Sequence, residues 1–156
     1  MIRVQREDFD PGAELAALTA GRRGIGGAVS FVGLVRDMAE GAPITAMTLE
    51  HYPKMTEAKL AAIEQEAQRR WPLEASLIVH RYGRLEPGER IVLVITASAH
   101  RQAAFESCAF LVDWLKTKAP FWKLEETPGG TNWVEARAAD DEASQRWQLS
   151  HSDAAE

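Results

Sequence analysis

Lys116, Lys118 and Lys123 crowd around Pro120, and two aromatic residues, Phe121 and Trp122, stand immediately before the last of them. Proline stops a helix, so a chain that reverses at Pro120 carries Lys116 and Lys123 toward one cleft. Amines that repel each other between aromatic walls favour a neutral form able to act as base or nucleophile. Lysines at a helix C-terminus also simply stabilise its dipole. That plainer reading accounts for Lys116 and Lys118 and leaves Lys123, on the next strand, unexplained. His100 and Arg101 pose a second local conflict, because they fall where a buried strand passes into a helix. Positive side chains there oppose the positive end of the helix dipole, at a cost of roughly 0.3 to 1 kcal/mol. An anion held by free backbone N–H groups, Arg101 and the His100 ring would compensate, making a phosphate or carboxylate site. A capping histidine beside a solvated arginine is the bland alternative. Arg36, closing an apolar run, is either another anion clamp or an ordinary strand-end arginine. His51 and Tyr52, before Pro53, are either functional or, as is commoner for a strand-end histidine, structural, and His80 and His151 give no signal.

These groups sit in a chain of 156 residues with 46% hydrophobic and 26% charged positions. That length suits one domain and allows about two-thirds of the unfolded surface to be buried. The formal charge of −5 argues against a general nucleic-acid binder. Between His100 and Lys123, however, four cations (Arg101, Lys116, Lys118, Lys123) face two acids (Glu106, Asp113), so this stretch carries +2 and the remainder −7. A cationic site on an acidic protein is the natural expectation. The single Cys108 can form no internal disulfide and anchors no metal cluster. With no signal-peptide core and no apolar stretch near the roughly 20 residues that span a bilayer, the expected location is the cytoplasm, without membrane contact. The five tryptophans read as core or interface anchors rather than a base-stacking platform.

The elements that must position the candidate groups follow from periodicity. Ile2 to Gln5 predicts a short strand and Pro11 to Leu18 a short helix. Gly26 to Arg36 is apolar on both alternating faces, as in a strand covered on both sides. Ile44 to Tyr52 alternates with period two, and the two strands are expected to pair through the polar loop 37–43. Pro53 opens a helix whose apolar positions Leu60, Ile63, Ala67 and Trp71 run to the stop at Pro72. Ala75 to Tyr82 and Arg90 to Ser98 form an antiparallel pair around Pro87-Gly88. Arg101 to Lys118 carries the stripe Phe105, Cys108, Ala109, Val112 and Leu115. A last hairpin over 121–125 and 131–136 and a helix over 140–147 complete an α+β fold. Residues 1–147 form the domain, and 148–156 a flexible acidic tail.

Four stretches, Phe31-Val32-Gly33-Leu34-Val35-Arg36, Leu49 to Met55, Ser98-Ala99-His100-Arg101 and Leu115 to Lys123, closely resemble the large, catalytic subunits of molybdopterin synthase, the MoaE family. The match runs in order from about Gly26 to Trp147 and includes Trp71-Pro72, Pro87-Gly88 and Trp133-Val134-Glu135-Ala136-Arg137. The resemblance implies an α/β-hammerhead fold with antiparallel sheets and two long helices. It also implies a dimer of large subunits within a heterotetramer, with a small ubiquitin-like sulfur carrier at each end. That carrier ends in a Gly-Gly thiocarboxylate, which transfers sulfur to cyclic pyranopterin monophosphate to make the molybdopterin dithiolene, with no metal and no cofactor. Carried over by motif, the substrate-contacting positions are Leu34, Val35, Arg36, His100, Arg101, Lys116, Lys123, Leu124 and Glu125, with Lys116 and Lys123 catalytic. Leu34 and Leu124 stand where basic residues can occur, so contacts there fall to the backbone. The competing reading is a non-catalytic docking partner for a ubiquitin-like carrier.

Overall fold

The computed structural model describes residues 1–39, 41–134 and 138–149. Its elements run β1 (Ile2–Gln5), α1 (Pro11–Thr19), β2 (Gly27–Leu34), β3 (Met38–Ala39), β4 (Ala42–Pro43), β5 (Ala46–His51), α2 (Pro53–Arg70), β6 (Leu73–Arg81), β7 (Gly83–Leu85), β8 (Arg90–Ser98), α3 (Arg101–Lys118), β9 (Phe121–Thr127), β10 (Gly130–Val134) and α4 (Ala138–Leu149). Local signals set the helix ends. Asp10 caps α1 by accepting from the Ala13 N–H at 3.1 Å, Pro53 occupies the first turn of α2, and its last turn holds Arg69 and Arg70. The two long helices, α2 and α3, have 18 residues each.

Two four-stranded sheets carry the architecture. The first has the order β1-β6-β8-β2, with β6 and β2 antiparallel to β8 and β1 parallel to β6. On one face Ile78 and Val94 pack with Leu60, Ile63, Phe110 and Leu111 of α2 and α3. On the other Leu77, Val79, Leu93 and Ile95 meet Phe9 and Leu18 under α1. Full burial of each such side chain contributes roughly 1.5 to 3 kcal/mol, so this sandwich dominates stability. The second sheet, β10-β9-β5-β7, is wholly antiparallel and builds its own small core from Val35, Met47, Leu49 and Leu85.

Two expectations about β2 are corrected. It does not pair with β5: Phe31 stands opposite Val94 of β8, while β5 pairs with β7 and β9 in the other sheet. The intervening loop closes on itself as the β3/β4 hairpin, so it cannot align its flanking strands. Nor is β2 evenly covered, since Val29 and Phe31 pack on the α2/α3 side but only Val32 on the α1 side. Among the described residues it is an edge strand, with Ala28, Ser30 and Leu34 exposed. The antiparallel pairing of β6 with β8 is as expected, Leu77 opposite Ile95. The connection is more than a tight turn, because β7 leaves to join β5 before Gly88 turns the chain at φ 88°. β9 runs on to Thr127, longer than expected. The expected strand end at Glu135 and Ala136 and the tail beyond Leu149 lie outside the described residues. Of the tryptophans, Trp71, Trp114 and Trp147 pack around Phe110, whereas Trp122 and Trp133 are exposed.

Candidate functional site

A cavity of about 280 Å³ opens where the C-terminal end of α3 meets the ends of both sheets. On α3, Ala104, Cys108, Leu111 and Leu115 turn to the core. A helix advances about 100° per residue, so Lys116 emerges beside Leu115 at the cavity margin, with Val112 one turn earlier in its wall. Lys118, about 200° further round than Lys116, belongs instead to a separate cleft with Lys59 and Arg70, its Nζ 5.9 Å from the Trp114 ring centre. The run of lysines is thus divided by helical geometry, and the reversal at Pro120 returns only Lys123 to Lys116.

β9 makes the same selection by pleat. Successive side chains of a strand alternate between faces, so Phe121, Lys123 and Glu125 line the cavity while Trp122 and Leu124 take the opposite face. Trp122 rests edge-on against Tyr52, ring centres 4.6 Å apart. The third wall comes from the end of β2. Val35 is buried and tied to the Pro87-Gly88 turn at both backbone groups, its N–H donating to Glu89 O at 2.9 Å and its carbonyl accepting from Gly88 N–H at 2.8 Å. With Val35 fixed inward, its neighbours Leu34 and Arg36 both border the cavity.

Among the described lining residues, Arg36, Lys116 and Lys123 bring three positive charges and Glu125 and Asp140 two negative ones, on otherwise apolar walls that include Phe31, Val112 and Phe121. Low-polarity walls concentrate the field of such cations on an entering anion. The lining also holds His80, which is 8% exposed. Its Nδ1 lies 2.8 Å from the Arg81 carbonyl. A carbonyl only accepts, so Nδ1 carries the proton and, in the neutral ring, Nε2 keeps its lone pair. Burial, reinforced by the charge of Lys123, lowers its pKa from 6.5 to about 4 and keeps the ring neutral at pH 7.

Within one chain the site gathers the expected contact positions from β2, the end of α3 and β9. Leu34, Arg36, Lys116, Lys123 and Glu125 border it, Val35 underpins it, and Leu124 faces away. His100 and Arg101 stand apart within the chain: Arg101 and Lys116 are separated by 15 residues of helix, about 22 Å. His100 caps α3 through its backbone, with no hydrogen bond from the ring to the helix. Both residues are exposed against the start of β2. Gly26 permits this approach, since a Cβ there would lie 2.1 Å from the Ala99 carbonyl oxygen. The remaining histidine near the sheet, His51, has its Nδ1 3.2 Å from Thr56 Oγ1.

Sequence reasoning missed His80, Phe31 and Asp140 as wall residues. For His80 a signal existed. It is a polar ring directly after the apolar run Leu77-Ile78-Val79, where a buried donor demands a partner, but nothing local places β6 against β9. Asp140 reaches the cavity only through the packing of α4.

Comparison with known proteins bears on what this cavity does. A family model described as MoaE protein matches residues 4–118. A molybdopterin synthase catalytic subunit from Pseudomonas aeruginosa is 58% identical over 147 residues, covering 94% of this chain and 98% of that one. Among solved structures, the molybdopterin biosynthesis MoaE protein from Burkholderia ambifaria superposes with a TM-score of 0.81 at 53% identity, covering 95% of this chain and 97% of that chain. The molybdopterin synthase from Staphylococcus aureus gives 0.79 at 28% identity, with 85% and 96% covered.

Proposed function

Because the chain belongs to the MoaE protein family, we infer that it works as the catalytic subunit of a molybdopterin synthase, a sulfurtransferase of molybdenum cofactor biosynthesis. The observation that carries the reading is the convergence of Arg36, Lys116 and Lys123, from three separate elements, on one apolar-walled cavity. The substrate is cyclic pyranopterin monophosphate, and the sulfur comes from the Gly-Gly thiocarboxylate of a small ubiquitin-like carrier whose tail enters the cavity.

Both reactants are anions, so bringing them together requires neutralisation before any bond forms. Arg36 suits the phosphate through its planar fork of donors, and the lysines suit the carrier's terminal carbonyl. When the thiocarboxylate sulfur bonds to a side-chain carbon of the pterin, that carbon's bond to oxygen breaks, the electron pair leaving on the oxygen, and a thioester joins carrier to substrate. Water then adds to its carbonyl carbon and the carbon–sulfur bond breaks. Sulfur remains on the pterin as a thiolate, the carrier departs as a carboxylate, and two protons are released. Ammonium groups beside that carbonyl stabilise the oxyanion formed on addition, and the same groups can relay the protons.

A second copy of the chain completes the site. The exposed edge of β2 invites association about a two-fold axis, which sets two β2 strands antiparallel. The Gly27 end of one strand then lies beside the Leu34 end of the other. His100 and Arg101 pack at the Gly27 end, so those of the second copy approach the cavity mouth next to Arg36, adding two groups for the phosphate. One carrier per chain on such a dimer gives a heterotetramer.

The test is incubation with thiocarboxylated carrier and cyclic pyranopterin monophosphate, followed by mass spectrometry. Dithiolene product and desulfurised carrier are expected. A stable complex that yields no product would instead mark a docking module. No helix among the described residues is long and apolar enough to cross a membrane.

A further inference from the structure

Arg81 follows the wall residue His80 on β6, and the alternation of a strand turns its side chain away from the cavity. It is 7% exposed, and a guanidinium is costly to bury unless its donors find partners. Those partners share one location. Nε donates to the Arg6 carbonyl and Nη1 to the Arg90 carbonyl, both at 2.9 Å, and Nη1 also lies 3.5 Å from Glu89 Oε1 and 3.8 Å from Asp8 Oδ1. Arg90 and Glu89 are the residues that hold the end of β2. Leu34 stands opposite Arg90 after a register shift in which Gly33 faces Val92, so Ile91 is left over as a bulge. Val35 donates its N–H to the Glu89 carbonyl. Glu89 is itself locked into the turn, its Oε2 accepting from the Glu86 N–H at 2.6 Å and its N–H donating to the Glu86 carbonyl at 3.0 Å.

We propose that Arg81 is a positioning residue for Arg36: by holding the Arg90 carbonyl at the bulge and the Glu89 carboxylate in the turn, it fixes the end of β2 and so the point at which the Arg36 guanidinium meets a substrate phosphate. The proposal rests on the reading of Arg36 as the anion clamp of the sulfurtransferase site. A bulge interrupts the ladder and bends the strand, so regular pairing stops setting the direction of the chain just before Leu34, Val35 and Arg36. A buried fork of donors takes over that task. Two-pronged recognition of phosphate needs both N–H groups of Arg36 aligned, and a shifted backbone forfeits one of them. The charges agree with a geometric role. Asp8 grips Arg90 through two hydrogen bonds of 3.0 and 2.8 Å, so Arg81 and Arg90 are balanced by Asp8 and Glu89. The cluster adds little net field to the cavity, and Arg81 acts by placing a cation rather than by being one more.

Two substitutions test this in the intact complex with thiocarboxylated carrier. Glu89→Ala removes a side chain that is 42% exposed and leaves the backbone carbonyl that Val35 uses. Arg81→Lys keeps the charge but replaces the fork with a single ammonium, which cannot serve the Arg6 and Arg90 carbonyls together. Each should raise the half-saturating pterin concentration about fivefold while the rate of dithiolene formation at saturation stays within about twofold, the signature of lost ground-state binding. In an Arg36→Ala background the same substitutions should change half-saturation less than about 1.5-fold, because no guanidinium remains to be placed. Wild-type half-saturation in Glu89→Ala, or an equal rise with and without Arg36, would overturn the assignment, the latter by showing that the cluster supports the fold at large.

Amide hydrogen exchange gives a second readout that needs no activity. Exchange at the Val35 N–H should quicken about tenfold in Glu89→Ala, while the fully buried Val94 and Ile95 of β8 keep their protection. Unchanged protection at Val35, or equal loss at all three, refutes a local clamp on β2. Failure of the wild-type complex to make any dithiolene sinks the sulfurtransferase reading instead, and the exchange result still decides whether this cluster holds the end of the strand.

Discussion

If His100 and Arg101 of one chain complete the cavity of another, two defective chains should repair each other. Lys116→Ala removes an ammonium from the cavity of its own chain. A His100→Ala/Arg101→Ala double variant removes two groups that, by the 22 Å length of α3 between Arg101 and Lys116, cannot serve that same cavity. Each homodimer then has two damaged sites. In a mixed dimer one site combines Lys116 from the double variant with His100 and Arg101 from the Lys116→Ala chain and is intact, while the other carries both lesions. Random assembly of equal amounts makes about half of all dimers mixed, and half of the sites in those are whole, so activity should return to about a quarter of wild type. The assay is dithiolene formation by co-expressed chains bearing different tags, with pterin well below saturation so that the anion-binding defect shows fully. Both variants should fold normally, since exposed helix-end side chains change stability by about 0.5 kcal/mol or less. Activity no greater than the sum of the two parents, in preparations where mixed dimers are isolated by their tags, would refute the shared site. Near-normal product from the Lys116→Ala homodimer would remove that lysine from the mechanism.

Three further outcomes follow from the same coordinates. Ala28→Arg combined with Ser30→Arg places charge on the exposed positions of the β2 edge, and should give a folded monomer by sedimentation with dithiolene formation lost. Burial of neutral His80 predicts acid lability. Its folded pKa, about 4, lies below the unfolded 6.5, so the unfolded chain binds more protons between those values. The associated stability is fully present above pH 6.5 and is lost as pH falls toward 4, by up to about 3 kcal/mol. Urea midpoints across that window should slope less in His80→Asn than in the wild type. Leu60, fully buried beneath the first sheet, should cost about 2 to 5 kcal/mol when cut to alanine, read as a lower urea midpoint at unchanged m-value.

Individual elements were legible because their signals are local. Helix ends follow from Pro11, Pro53, Pro72 and Pro120, whose effects act within one turn; the stripe read on α3 is only partly right, because Phe105 is exposed while Phe110 and Leu111 fill the core. The candidate cations were legible for the same reason. Lys123 lies on a strand beyond the helix whose dipole explains the other lysines, and His100 and Arg101 oppose the dipole of the helix they begin. Family resemblance then supplied roles for those residues, which spacing by itself left divided between a site and a solvated surface.

Pairing was another matter. An apolar strand such as β2 states that it needs burial without stating against what, and alternation fits several partners about equally well. Loop 37–43 closing as β3/β4 and β7 crossing to the second sheet decided it, and both are long-range outcomes of packing. The same packing drew Lys116 and Lys123 together, turned Lys118 and Leu124 away, carried His80 behind Phe121, and left His100 and Arg101 at the far end of α3. Residue types and local breaks in pattern determine which groups are available for chemistry and how each short segment folds. Distances between those groups are sums over every intervening turn and sheet register, and such sums exist only once the whole chain has packed.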